Sequence, residues 1–265
     1  MPELPEAEYM VRRLRECAPC PEIVRVRVLR NGVAPRGLAR RAKGRIASYG
    51  RRAKNVLMHL ENGHTIRIQL GMTGHVFWIA SQRQLPSHTR VTFDLAGGGA
   101  IAFQDPRVFG SVELHRTELL ETAAFARYGP EPLDAAFTWR HLAAAAAGRR
   151  TEIKPFLLDQ SRVVGLGNIW AAEALFAAGV LPWRTVDSLK NAEWQRLHRA
   201  IRRVLNQAID NAFAVTESAG EFPEADLLRV AVYGRSGQPC RKCRGPILRE
   251  TQSGRSTFYC GGCQR

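Results

Sequence analysis

The chain of 265 residues carries 39 Lys and Arg against 24 Asp and Glu, a formal charge of +15, and 45% of it is hydrophobic. That apolar share is enough for a packed core and excludes a mainly disordered or acidic solvating protein; the length fits roughly one to three domains of about 100–200 residues. A positive excess on a folded chain points to a polyanionic partner, nucleic acid before anionic membrane, and no stretch approaches the ~18 uninterrupted apolar residues of a membrane span.

The start, Met1-Pro2-Glu3-Leu4-Pro5-Glu6, has neither the basic region nor the apolar run of a secretory signal, so an intracellular protein is expected. Residues 5–16 read as a helix, with Pro5 suited to its first turn and Val11 and Leu14 on one apolar side. Cys17-Ala18-Pro19-Cys20 at its end is a Cys-x2-Cys with no second pair nearby in sequence, which argues against a metal or redox role. Apolar residues at every second position then predict strands at 23–28, 64–70 and 88–95, and Asn62-Gly63 and Gly97 to Gly99 supply turns. After Arg116 the spacing becomes helical, through Leu119, Leu120, Ala123, Ala124 and Phe125 and then 139–147, 168–178 and about 188–211. Gly129-Pro130-Glu131-Pro132 interrupts both periodicities and reads as a linker.

Near the C-terminus Cys240-x2-Cys243 and Cys260-x2-Cys263 flank residues 244–259, a segment long enough for two short strands and a tip. Two such turns on a hairpin deliver four thiolates to one tetrahedral zinc ion, and a segment this small cannot build a core without such a staple. Arg241, Lys242, Arg244, Arg249 and Arg255 make it a basic finger suited to nucleic acid.

Pro2-Glu3-Leu4-Pro5-Glu6, Lys54 in Gly50-Arg51-Arg52-Ala53-Lys54, Leu70-Gly71-Met72-Thr73-Gly74, Asp105-Pro106-Arg107-Val108-Phe109-Gly110, Gly165-Leu166-Gly167-Asn168-Ile169-Trp170 and the terminal cysteine pattern together resemble the formamidopyrimidine-DNA glycosylase / endonuclease VIII family over essentially the whole chain. The resemblance lies closer to the formamidopyrimidine-DNA glycosylase branch. It implies an α+β protein in three parts: an N-terminal antiparallel β-sandwich with a leading helix (1–115), a helical helix-two-turn-helix domain (116–232), and a C-terminal β-hairpin zinc finger (233–265). It also implies a base-excision-repair glycosylase with lyase activity, acting as a monomer on double-stranded DNA that holds an oxidised base or an abasic site. One structural zinc and a cytoplasmic, bacterial-type, nucleoid-associated setting complete the expectation.

Removal of Met1 would make Pro2 a secondary amine able to attack a sugar carbon and form an imine, with an appreciable neutral fraction because α-amino groups titrate near ~8 and a helix N-terminus lowers that value. By resemblance Glu3 is the general acid, Lys54 reaches the lesion phosphate, and Arg255 assists the second of two eliminations that cut the strand. Glu6 suits either water binding or a simple first-turn acid.

Met72, Arg107 and Phe109 match the family's gap-filling side chains, although without the resemblance Met72 and Phe109 would read as core residues. Asn168, His88 and Arg149 match phosphate contacts, with Lys154 as a further candidate. Val108 replaces an arginine often found after Arg107, and Gln69 stands where relatives often carry His. The charge gathers into a DNA footprint over Arg51-Arg52-Lys54, Arg107, Arg149-Arg150 and the finger. Leu4 and Phe109 favour oxidised purines as substrates, whereas residues 214–222 do not closely follow that branch's base-capping loop; an oxidised-pyrimidine glycosylase and a non-cutting DNA-binding zinc protein remain the alternatives.

Overall fold

The computed structural model describes residues 2–81, 85–215 and 228–265. In chain order the elements are α1 (Leu4–Cys17), β1 (Glu22–Val28), α2 (Leu38–Arg41), β2 (Gly44–Arg52), β3 (Asn55–Leu60), β4 (His64–Gln69), β5 (His75–Ile79), β6 (Thr89–Leu95), β7 (Ala100–Gln104), β8 (Ser111–Arg116), α3 (Leu120–Ala124), α4 (Trp139–Ala146), α5 (Ile153–Leu158), α6 (Asn168–Ala178), α7 (Asn191–Val215), β9 (Leu248–Gln252) and β10 (Arg255–Tyr259). They form two compact units that divide between Ala126 and Arg127.

In the first unit the strands pair antiparallel in the order β5-β7-β6-β1-β2-β3-β4-β8. β1 meets β2 through the short register Glu22↔Arg45 and Ile23↔Gly44, a seam that splits the sheet into two four-stranded halves. Ile23, Phe93 and Phe103 from one half share a core with Ile46, Met58, Ile66 and Val112 from the other and with Met10 and Leu14 of α1, which gives the expected sandwich behind its leading helix. Alternation misreads one face of β6: Thr92 and Asp94 are buried although polar, because Arg27 on the neighbouring strand donates to Thr92 Oγ1 and Asp94 Oδ1, both at 3.0 Å.

Helix α1 opens with a reciprocal cap. The Glu3 carboxylate accepts from the Glu6 backbone N–H, and Glu6 Oε2 accepts from the Glu3 N–H at 3.0 Å. One turn further on, Glu8 takes Arg12 Nε at 3.0 Å and Arg51 Nε at 2.9 Å, so α1 is joined to the end of β2. Burial pushes the Glu8 carboxyl up, but Arg51 and Arg12 outweigh it and hold the group below its ordinary value.

In the second unit α6 is apolar on every side, from Trp170 to Phe176, as befits a helix at the centre of a bundle. Its one buried acid, Glu173, accepts the backbone N–H groups of Ala231, Val232 and Tyr233 at 2.7, 2.9 and 2.9 Å. The amphipathic α7 packs on it through a stripe that includes Trp194, Leu197, Ile201, Leu205 and Ile209. The β9–β10 hairpin has no separate core: Cys240, Ile247, Phe258 and Cys260 pack on Ala172 and Phe176 of α6. Gln264 Nε2 donates to Val180 O at 2.8 Å and fixes the chain end there. No described helix is long and apolar enough to cross a membrane.

Two outcomes follow for stability. Hydrogen bonds to a buried charge contribute about 1.5–3 kcal/mol, so Glu173→Gln, which halves the acceptors and removes the charge, should lower urea-unfolding stability of the second unit by about 2 kcal/mol. A carboxylate with a depressed folded pKa stabilises above its unfolded pKa and loses that contribution as pH falls through the folded value. Glu8→Gln should therefore flatten the loss of stability below pH 4.5, the group's ordinary pKa, in urea titrations at stepped pH.

Candidate active site

Pro2 and Glu3 are both buried, Glu3 to 1% exposure, at the positive end of α1. Chain ends ordinarily fray, and here the cap between Glu3 and Glu6 holds the end in place. Lys54 sits half-buried in the two-residue turn between β2 and β3, just after Ala53 in the left-handed conformation at φ 53. That conformation costs an L-residue roughly 1–2 kcal/mol, and Arg51 Nη1 supports it by donating to Ala53 O at 3.0 Å. Helix α1 packs against β2 and β3, so the N-terminus and the Lys54 turn belong to one packed assembly.

A second cluster lies on the loops at 70–74 and 105–110. Asp105 is wholly buried; its Oδ1 accepts from Thr73 Oγ1 at 2.5 Å and its Oδ2 from Gly110 N at 2.8 Å. Thr73 Oγ1 in turn accepts from Arg107 N at 3.2 Å, and Asp105 N donates to His88 O at 3.1 Å. Glycine is required where the loops touch: a Cβ on Gly71 would stand 2.6 Å from Gly110 N, and one on Gly110 would stand 2.5 Å from Gln69 O. The weld leaves Met72 37% and Phe109 56% exposed, with the Arg107 guanidinium 4.9 Å from the Phe109 ring centre. Both apolar side chains therefore stand in solvent and not in the core. His88 is exposed on the turn ahead of β6 and shares Asp105 with this cluster. Sequence reasoning gives Asp105 no role and passes over Thr73 and Arg90, whose Nε holds Asp105 O at 2.7 Å. The signal in the chain is the Asp-Pro dipeptide between strand residues and a loop glycine, an acid at a turn position.

Two arginines of the expected footprint turn inward. The Arg51 side chain is 7% exposed and held by Glu8. The Arg52 side chain is 16% exposed, reaches Glu121 at 3.5 Å and stacks over Phe125. Gln69 is exposed, and its Oε1 accepts from Arg67 Nη2 at 3.4 Å. Val108 adopts φ 58, an uncommon conformation for a β-branched residue.

In the second unit Asn168 is the first residue of α6, after a loop shaped by Gln160, which accepts from Gly165 N at 2.8 Å and donates to Leu166 O at 2.9 Å. Asn168 Nδ2 donates to Ser256 O at 2.9 Å, tying the helix start to the hairpin. Lys154 does the same from inside: 1% exposed, it donates to Ser256 O at 3.1 Å and to Thr257 Oγ1 at 2.6 Å, so its charge faces the hairpin and not the surface. Arg255 begins β10 after the turn Ser253-Gly254 and is exposed, as are Arg149 and Arg150.

The four finger cysteines converge, with all four Sγ atoms within 4.8 Å of one another and the pairs Cys240–Cys263 and Cys243–Cys260 at 3.8 and 3.3 Å. Thiolates around a tetrahedral zinc with Zn–S of about 2.3 Å lie about 3.8 Å apart, so this donor set fits the ion. Gly262, where a Cβ would stand 3.3 Å from Cys243 Sγ, lets the second turn close on it. No third cysteine or other ligand joins Cys17 and Cys20 in a metal cluster among the described residues.

Signatures described as the formamidopyrimidine-DNA glycosylase N-terminal domain, the formamidopyrimidine-DNA glycosylase H2TH domain and the zinc finger found in FPG and IleRS match residues 1–112, 128–218 and 237–265. The formamidopyrimidine-DNA glycosylase of a Ruegeria species is 39% identical over the full length of both chains. Among solved structures, the MutM (Fpg) protein of Thermus thermophilus is 35% identical and covers 99% of this chain and 98% of its own, with a TM-score of 0.86. The Lactococcus lactis Fpg is 26% identical over 100% of both chains, with TM-scores of 0.90 in complex with DNA containing an N7-benzyl-Fapy-dG and 0.91 in complex with DNA containing an oxidised pyrimidine. Full-length identity near 40%, the eight-stranded sandwich, the helical unit and the four-cysteine hairpin agree: this chain belongs to the formamidopyrimidine-DNA glycosylase family.

Proposed function

We propose that this protein is a bifunctional DNA glycosylase and abasic-site lyase that removes oxidised purines, 8-oxoguanine and formamidopyrimidines, from duplex DNA. The observation that carries the reading is the buried N-terminus, with Pro2 and Glu3 fixed at the head of α1. With Met1 removed, the Pro2 amine attacks C1′ of the damaged nucleotide while Glu3 protonates the sugar ring oxygen or the departing base. The product is an imine. Loss of the C2′ proton expels the 3′ phosphate, and a second elimination, assisted by Arg255, releases the sugar. Lys54 holds the lesion phosphate.

The target base is inaccessible inside a duplex, so it is extruded and its place filled. Met72 and Phe109, exposed beside Arg107, are suited to filling it, since together the three offer an apolar wedge, a stacking ring and a hydrogen-bonding fork. His88, Arg149 and Asn168 contact phosphates in this reading, and the zinc-held finger presents Arg255. The roles divide as a catalytic sandwich (1–115), a helical DNA-binding domain (116–232) and a finger (233–265), acting as a monomer on nucleoid DNA in the cytoplasm. An oxidised-pyrimidine preference is the second reading, favoured by the relative solved with such a lesion. Residues 216–222 of the expected base-capping segment lie outside the described residues.

Borohydride should trap a covalent adduct between abasic duplex and the Met1-processed protein; absence of an adduct overturns the enzyme reading in favour of a non-cutting DNA-binding protein. Glu3→Gln should lower single-turnover excision by about 10²–10⁴-fold, the usual contribution of a general acid, while affinity for abasic duplex stays near wild type. Comparing release of 8-oxoguanine, formamidopyrimidine and dihydrouracil decides the lesion, and a rate advantage for dihydrouracil would overturn the purine preference. Stripping the metal with a chelator should abolish duplex binding and leave the sandwich folded, read by gel shift and far-UV circular dichroism.

A further inference from the structure

We infer that Arg51 is a positioning residue for the imine-forming step: through Glu8 and the Ala53 carbonyl it sets the Lys54 turn against the helix that carries Pro2 and Glu3. The inference rests on the roles proposed above for Pro2 and Lys54. Among the bonds of its guanidinium, Nε donates to Glu8 Oε2 at 2.9 Å and Nη1 to Ala53 O at 3.0 Å. The first reaches a residue of α1; the second reaches the carbonyl immediately before Lys54. Both charged side chains are largely withdrawn from water, with exposures of 7% for Arg51 and 15% for Glu8, so the pair is neither a solvated surface bridge nor a cation offered to DNA.

The turn needs such a holder. Ala53 is 1% exposed and left-handed, a conformation that persists where the surroundings over-determine it. Asn55 fixes the far side of the same turn, with Nδ2 donating to Arg52 O at 2.9 Å while its Oδ1 accepts from Arg67 Nε at 3.0 Å. Arg67 belongs to β4, so that side is anchored within the sheet, whereas the Arg51 side is anchored to the helix bearing the nucleophile. A planar fork with donors in fixed directions serves a carboxylate and a carbonyl at once; a lysine ammonium at the end of a flexible stem does not reproduce that geometry. Displacing a reacting group by about 1 Å can cost about 10²-fold in rate, which is the scale on which a loosened turn should register.

The test uses the full chain and four variants, Arg51→Lys, Arg51→Met, Glu8→Gln and the double variant of Glu8→Gln with Arg51→Met. Single-turnover excision and borohydride trapping report the chemistry, binding of a duplex with a tetrahydrofuran abasic analogue at several salt concentrations reports affinity, and thermal unfolding reports folding. The expected result is a rate loss of about 10-fold or more in all three single variants, including the charge-conserving Arg51→Lys, with affinity within about two-fold and an unchanged salt slope. The double variant should lose no more than Arg51→Met alone, since without the guanidinium Glu8 has no further part in the link. Wild-type rates in Arg51→Lys together with weaker binding and a salt slope reduced by about one in Arg51→Met would make Arg51 a phosphate contact and overturn the proposal. Parallel loss of rate and affinity in Glu8→Gln and Arg51→Lys, with a lowered melting temperature, would reduce the link to general stability and overturn it too. The failure of wild-type protein to trap at all is a separate outcome, since it removes the Pro2 chemistry and with it the step to be positioned.

Discussion

The reciprocal cap between Glu3 and Glu6, which holds the head of α1 in place, is the interaction on which the first unit's geometry depends. Termini fray because their backbone groups lack partners and their side chains lack neighbours. Here the helix begins at Leu4, directly after its cap Glu3, and the reciprocal bonds between Glu3 and Glu6 give this buried end backbone partners that it would otherwise lack. The sandwich supplies the rest of the rigidity: Met10 and Leu14 lock α1 into the core shared by both halves of the sheet, and Glu8 is gripped by the end of β2. A helix anchored this deeply holds Pro2 and Glu3 at its head in fixed positions.

The same logic governs the polar interior. Asp105, Glu173 and Lys154 are charged residues almost removed from solvent, and each is surrounded by directed partners. A buried charge is tolerated when it is paired or richly hydrogen-bonded, and such a group then fixes geometry more sharply than apolar contact does. Asp105 holds two loops together so that Met72 and Phe109 can project; Glu173 gathers residues 231–233 at the approach to the finger; Lys154 and Asn168 converge on one carbonyl of the hairpin. Met72 and Phe109 stand exposed on that support, with the Arg107 guanidinium over the Phe109 ring.

The cationic excess divides in two. Some of the arginines are internal fixtures, as Arg27, Arg51, Arg67 and Arg90 show by their bonds to acids and carbonyls. Others, among them Arg107, Arg149 and Arg255, stay exposed and keep their fields available to a polyanion. Composition weighs both sets alike, so the footprint read from charge was wider than the structure supports at Arg51 and Arg52.

By itself the sequence determined the architecture in outline and the metal site. The helix read at 5–16 and found at 4–17, the strands read at 23–28, 64–70 and 88–95, and the long helix follow from periodicity, which is local, and the two Cys-x2-Cys turns define their own ligand geometry; β2, β5, β7 and β8 carry no such clear alternation and are located only by their pairing in the sheet. The family membership was legible for the same reason, since its motifs are short runs read along the chain. Only the tertiary structure decided which residues face solvent and which hold others in place: Met72 and Phe109 outside, Arg51 and Lys154 inside, Thr73 and Asp105 as the weld between loops. Those distinctions depend on partners distant in sequence, whose contacts are set by how strands and helices come together and leave no periodic trace in the chain that folds.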